Sequence, residues 1–146
     1  MSKRRSPDAV LHASGVAGRW TKIKGLGSGS FGQIWLVRNT LQGGAPCVLK
    51  EVSVQGLSPS EVKATLLEID VLQRVSHPQI IGYVDSFGTA SKDTIGLVME
   101  HAACGDLKSL IAERVKNGNI PFSETLVTKI ATQLGGALSF LHHQVS

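Results

Sequence analysis

The stretch Gly25 to Val37, GLGSGSFGQIWLV, sets four glycines within eight residues and then turns abruptly apolar. A backbone so stripped of side chains serves either a tight turn or the close approach of another group. Gly27, Gly29 and Gly32 fit G-x-G-x-x-G, the pattern of dinucleotide-binding βαβ units. Such a unit needs a helix to open within the glycines, because the pyrophosphate rests on that helix N-terminus. Here the last glycine leads into Gln33-Ile34-Trp35-Leu36-Val37, a β-branched and aromatic run that suits a strand. No G-K-[ST] ending marks a P-loop. The expected form is strand, glycine turn, strand. A hairpin tip without side chains can lie over phosphates and donate main-chain N–H groups. Taken alone it is equally an ordinary flexible hairpin, and both readings stand at this point.

The remaining chain narrows them. Its 146 residues make one domain or part of one, and the 42% apolar share is enough for a core. The net charge of +4 is modest, and the basic residues are scattered apart from Lys3-Arg4-Arg5. No nucleic-acid partner is expected. Residues 1 to 18 read as a flexible basic tail, with the cluster a solvated terminus more than a localisation signal, and Ser6-Pro7 is a candidate phosphorylation site. Cys47 and Cys104 lack zinc-ligand neighbours and read as reduced thiols of an intracellular protein. No apolar run reaches membrane-spanning length, so no membrane partner is expected.

Three short strands are expected first, over Trp20 to Leu26, Ile34 to Val37 and Cys47 to Val52, with Asn39 to Pro46 as a loop. Ser58-Pro59-Ser60-Glu61 then opens a helix, with an N-cap Ser, Pro at the first position and Glu at the third. It should run to about Val75 and stop at Ser76-His77-Pro78. Two more strands follow, Ile80 to Phe87 and Thr94 to Met99. A helix from Asp106 to about Lys116 closes at Asn117-Gly118, and Ser123 caps a longer one striped by Leu126, Ile130, Leu134, Ala137, Leu138 and Leu141. The fold class is α+β with a mostly antiparallel sheet.

Two charges sit where solubility does not need them. On the third strand Lys50 shares a face with Val48 and Val52. On the first helix Lys63, Asp70 and Arg74 form a polar face, and Glu68 lies opposite among Ala64, Val71, Leu72 and Val75. A carboxylate on an apolar stripe needs a cation or a strong donor, and Lys50 is the candidate. The bland alternative is two unrelated, partly exposed charges. Their arrival in order after a glycine hairpin favours a functional pair.

With these residues in place the sequence resembles the N-terminal part of a eukaryotic protein kinase domain. Six features agree in order. They are the glycine loop with Ile34 in the valine position, Cys47-Val48-Leu49-Lys50 for V-A-I-K, Glu68 in the C helix, His77-Pro78-Gln79-Ile80-Ile81, Leu97-Val98-Met99-Glu100-His101, and Gly105-Asp106-Leu107. The likeness covers about Trp20 to His143 and is greatest to the NIMA-related (Nek) Ser/Thr kinases, through Gly29-Ser30-Phe31-Gly32, Lys50-Glu51-Val52 and Asp85-Ser86-Phe87 after His77-Pro78. It implies an N-lobe of five antiparallel strands plus the C helix over 19–99, a hinge at 100–105, and first C-lobe helices over 106–146.

The resemblance also implies roles. Leu26, Gly27, Gly29 and Gly32 would cover ATP, with Lys50 on its α- and β-phosphates and paired to Glu68. Ile34 and Val48 would pack on the adenine, Val48 narrowing a ceiling that is usually alanine. Met99 would be the gatekeeper, the Glu100 carbonyl and Ala102 amide would bond the adenine edge, and Asp106 would reach the ribose. Leu72 would join the apolar spine behind the site. His101 stands where an aromatic is common, and Cys104 where glycine is frequent. A complete kinase would use Mg²⁺ and a protein substrate, in the cytoplasm or on the cytoskeleton.

The catalytic H-R-D-L-x-x-x-N and metal-binding D-F-G do not occur in these 146 residues. Asp85-Ser86-Phe87-Gly88 has one residue too many, and His142-His143 closes a helix. The expectation is therefore a fragment without metal ligands, inactive alone, and prone to self-association through the apolar face of the 123–143 helix. The alternatives are a short non-catalytic module that binds nucleotide or a partner, and a dinucleotide domain, which predicts a helix directly after Gly32.

Overall fold

The structure, a computed structural model, describes residues 19–29, 32–88 and 93–144. The described elements run β1 (Trp20–Gly29), β2 (Gly32–Asn39), β3 (Gly43–Ser53), α1 (Pro59–Arg74), β4 (Tyr83–Gly88), β5 (Thr94–Glu100), α2 (Leu107–Lys116) and α3 (Glu124–Gln144). The five strands form one antiparallel sheet in the order β1-β2-β3-β5-β4. The α+β class and the element order are those expected. The chain divides into two compact units, one of residues up to Ser76 with Gly82–His101, the other of His77–Ile81 with residues from Ala102 onward.

In the first unit both faces of the sheet are apolar. Trp20, Val37, Leu49, Phe87 and Val98 form one buried cluster, with Trp35 and Cys47 against it. Ile69 of α1 meets Ile95 and Leu97 on the opposite face, joined by Val54, Val62, Leu66, Leu72, Tyr83 and Met99. Strand alternation divides β3 between these faces, with Leu49 on one and Val48, Lys50 and Val52 on the other. Gly96 is required by the first cluster, since a Cβ there would run into the Phe87 ring. The sheet also curls. β1 and β4 are its two edges, yet Trp20 Nε1 donates to Asp85 Oδ2 at 3.1 Å and Arg19 Nη1 lies 3.4 Å from the same oxygen. The buried carboxylate is further satisfied by the Ser86 amide, which donates to Oδ1 at 2.9 Å.

The α1 N-terminus is the expected capping box. Ser58 N donates to Glu61 Oε2 at 2.7 Å, and Glu61 N donates back to Ser58 Oγ at 3.4 Å. Hydrogen bonds from Ser58, its hydroxyl first, hold the Glu61 carboxyl below its ordinary range. The helix face needs correction. The sheet takes up Val62, Leu66, Ile69 and Leu72, while Ala64 is exposed and Glu68 stands at the flank. Leu72 and Val75 of the expected stripe are turned inward, and Leu66 and Ile69 bury more apolar area than Ala64 and Val71 would, which favours this rotation of the helix.

Two boundaries also differ. The expected loop from Asn39 to Pro46 is mostly strand, because Asn39 Oδ1 accepts from the amides of Leu41 and Gln42 at 2.9 and 3.0 Å and closes the turn locally. β4 begins at Tyr83 and not at Ile80, since Ile80 N donates to His77 O at 3.0 Å in a turn.

In the second unit, Asp106 caps α2 by accepting from Ser109 N at 2.6 Å. Ser123 Oγ accepts from Leu126 N at 3.3 Å at the start of α3. The His77 ring stacks on Phe140, with centroids 4.9 Å apart. Arg114 lies over the Phe122 ring at 4.4 Å and donates to Pro121 O at 3.0 Å, fixing the link between the helices. Among the described residues no helix is long and apolar enough to cross a membrane.

Candidate functional site

β1 and β2 pair as far as Gly29 opposite Gly32, with register shifts between Lys22 and Lys24 and between Gly25 and Gly27. Ser30 and Phe31 lie outside the described residues. A strand follows Gly32, so the dinucleotide-domain alternative, which needs a helix there, is excluded. The glycines differ in physical role. Gly27 has φ +153° at a register shift, where Leu26 is the extra residue, and a side chain would be strained there. A Cβ on Gly32 would collide with the Glu51 carbonyl oxygen, so close packing of β2 on β3 already demands glycine at that position.

Directly paired residues in an antiparallel sheet share a face. Gly27 pairs with Ile34, Ile34 with Lys50, and Lys50 with Leu97. Val48 pairs with Leu36 on one side and Met99 on the other. The register thus brings Gly27, Ile34, Val48, Lys50 and Met99 onto the face that carries α1. From α1, Glu68 receives the Lys50 ammonium at 2.9 Å from Oε1 and 3.0 Å from Oε2. The lysine side chain is 26% exposed and the glutamate 46%. The pair is therefore solvated, and its Coulomb energy contributes little to folding. Its consequence is geometric, because contact with both oxygens fixes where the ammonium points.

Glu100, at the end of β5, is pinned to Gly82 twice. Its amide donates to Gly82 O at 2.8 Å, and its carboxylate accepts from Gly82 N at 3.2 Å. Ala102 and Asp106 belong to the second unit. Ala102 O accepts from Gly105 N at 3.3 Å, and Gly105 has φ +76°. The Asp106 carboxyl is held low chiefly by its hydrogen bond from the Ser109 amide. Burial pushes the Cys47 thiol up, while Cys104 is exposed, and neither is in a disulfide. Among the described residues no three His, Cys, Asp or Glu side chains gather at one point.

Three polar arrangements escaped the sequence reading. Asp85 is one. A second is Lys22, whose ammonium lies 4.4 Å over the Trp35 ring and 2.6 Å from Glu51 Oε2. The third joins Gln73, Tyr83 and Ser86 between α1 and β4. Only Gln73 left a signal in sequence, as a polar residue four positions after Ile69 and so on the buried face of α1.

A glycine hairpin, an apolar sheet face and a carboxylate-held ammonium thus share one side of the sheet. Comparison with known proteins gives the class. The Protein kinase domain family matches residues 20–145, and the chain belongs to that family. Serine/threonine-protein kinase nekl-2 of Caenorhabditis elegans is 32% identical over 130 residues, covering 86% of this chain and 36% of the relative. Probable serine/threonine-protein kinase nek3 of Dictyostelium discoideum is 33% identical over 123 residues, covering 84% and 11%. Serine/threonine-protein kinase Nek11 of Homo sapiens is 32% identical over 131 residues, covering 88% and 20%. The chain is thus similar to Nek-type kinases and spans little more than a third, or less, of their lengths.

Proposed function

We propose that these residues are the ATP-holding part of a Ser/Thr protein kinase, which transfers the γ-phosphoryl group of ATP to protein hydroxyls. The observation that carries this is the forked Lys50–Glu68 pair, one strand away from the glycine hairpin. Gly27, Gly29, Gly32 and Leu26 cover the phosphates, and Lys50 binds the α- and β-phosphates while Glu68 orients it. Ile34 and Val48 pack on the adenine, Met99 bounds the pocket behind it, and Glu100 and Ala102 bond its edge. Asp106 keeps one carboxylate oxygen for α2 and offers the other to the ribose. Residues 19–99 act as the nucleotide lobe, 100–105 as the hinge and 106–146 as helices of the second lobe. The setting is intracellular, in the cytoplasm or on the cytoskeleton.

Phosphoryl transfer further requires a base for the hydroxyl and ligands for Mg²⁺. The motifs that supply them are not within these 146 residues, so the chain by itself binds nucleotide without turning it over. The test has two parts. A fluorescent ATP analogue should bind the chain and lose most of its affinity on Lys50→Met. Radiolabelled ATP and a generic protein acceptor should yield no transfer, and transfer that Lys50→Ala abolishes would overturn the claim of inactivity. A non-catalytic role as a binding module is the second reading. It is favoured by the apolar residues Leu134 and Leu138, which α3 leaves exposed and through which copies of the chain self-associate.

A further inference from the structure

We infer that Gln73, Tyr83 and Ser86 form a positioning clamp that sets the rotation of α1 and thereby keeps Glu68 on Lys50. The inference rests on the nucleotide site proposed above. Gln73 Nε2 donates to Tyr83 Oη at 3.1 Å and lies 3.4 Å from Ser86 Oγ, and the two hydroxyls are 2.8 Å apart. Ser86 is fully buried, while Gln73 and Tyr83 are half-buried. A glutamine on the buried face of a helix is costly unless its amide is satisfied, and here two hydroxyls of one strand satisfy it.

The strand is shaped for this. In a regular strand, residues 83 and 86 would face opposite sides. A register shift between Tyr83 and Asp85 makes Val84 the extra residue, which returns Ser86 to the side of Tyr83 and leaves Asp85 and Phe87 on the other. The same bulge thus points two hydroxyls at α1.

Beside this clamp and the Lys50–Glu68 pair, α1 packs on the sheet through the aliphatic side chains of Val62, Leu66, Ile69 and Leu72. Such contacts are non-directional and tolerate rotation of the helix about its axis. Side-chain ends lie about 5–6 Å from a helix axis, so a turn of about 30° displaces them by about 3 Å. That displacement equals the whole length of the Lys50–Glu68 contact. Hydrogen bonds at the last turn of α1 resist it, because they weaken steeply with angle. Gln73 and Tyr83 therefore act on the nucleotide through Glu68 and touch none of it.

The test is a double-mutant cycle on the full chain, read by affinity for a fluorescent ATP analogue, with thermal unfolding followed in parallel. Gln73→Met keeps the volume and removes the amide, and it should weaken binding about fivefold. In a Glu68→Gln background the same change should cost almost nothing, since its effect passes through Glu68. Tyr83→Phe, which keeps the ring packed, should reproduce the pattern if Gln73→Met folds poorly. An equal loss in both backgrounds, or an unchanged affinity in Gln73→Met and Tyr83→Phe, overturns the clamp. Unchanged affinity on Lys50→Met overturns the nucleotide site itself and the clamp with it.

Discussion

Lys50 meets both Glu68 oxygens near 3 Å while almost half of the glutamate side chain stays in water. Such a pair is worth at most about 1 kcal/mol to folding. Glu68→Gln is therefore expected to change the unfolding free energy by less than about 1 kcal/mol in urea titration, yet to weaken nucleotide binding severalfold. A large stability loss with unchanged binding would show the pair to be structural. Asp85 is the opposite case, buried and held by Trp20 Nε1 at 3.1 Å. Trp20→Phe keeps most of the apolar body but strands part of the carboxylate, and should cost about 1–3 kcal/mol in the same titration. A neutral result would mean that Arg19 and Ser86 satisfy Asp85 unaided. These residues also separate what sequence reveals from what it hides. Lys50 was conspicuous as a charge between two valines, and its partner could be sought on the next helix. By helical spacing Glu68 falls on the apolar stripe, whereas the competition between Ile69 and Val71 for the sheet, decided by tertiary packing, leaves it on the flank.

At the scale of elements, local chemistry was legible where one residue settles a boundary. Ser58 and Glu61 announced the start of α1, and Asp106 that of α2. Ser58→Ala should cost about 0.5–2 kcal/mol of stability, measured as an earlier urea midpoint with unchanged slope. Both caps depend on carboxylates whose folded pKa lies below the unfolded one, Glu61 through Ser58 and Asp106 through Ser109. A depressed carboxylate stabilises the fold fully above its unfolded pKa, and that contribution is lost as pH falls through the folded value. Helicity by circular dichroism should thus hold from neutral pH down to about 4 and decline below it. Asp106→Asn, which caps without titrating, should reduce the decline. Loss of helicity already at about pH 6 would implicate other groups. The bulge at Val84 left no comparable mark, because it arises from pairing with β5 and not from any residue in YVDSFG. The Asn39 turn had a local signal in its side-chain acceptor, which the neighbouring Gly43-Gly44 disguised as a longer loop.

The two units of the molecule differ in how far each closes a core. The first places ten of the buried apolar side chains, among them Leu49, Ile69 and Val98, on both faces of its sheet. In the second, Ala137 is the one apolar side chain buried among the described residues, while Leu110, Leu134 and Leu138 are exposed. Apolar area left in water contributes nothing to folding, so α2 and α3 rely on caps and helix propensity more than the sheet does. Amides of β3 and β5 should accordingly exchange with solvent only on global unfolding, and those of α2 should exchange much faster in native conditions. The proposed self-association would use the same exposed leucines, since Leu134 and Leu138 lie four residues apart on one side of α3. Sedimentation velocity of the chain over rising concentration should show dimers or larger species. The Leu134→Lys and Leu138→Lys double variant should remain monomeric with its helicity unchanged. If the wild-type chain is monomeric at every concentration, the face does not associate. If the variant associates as strongly as the wild type, the contact lies elsewhere on the molecule.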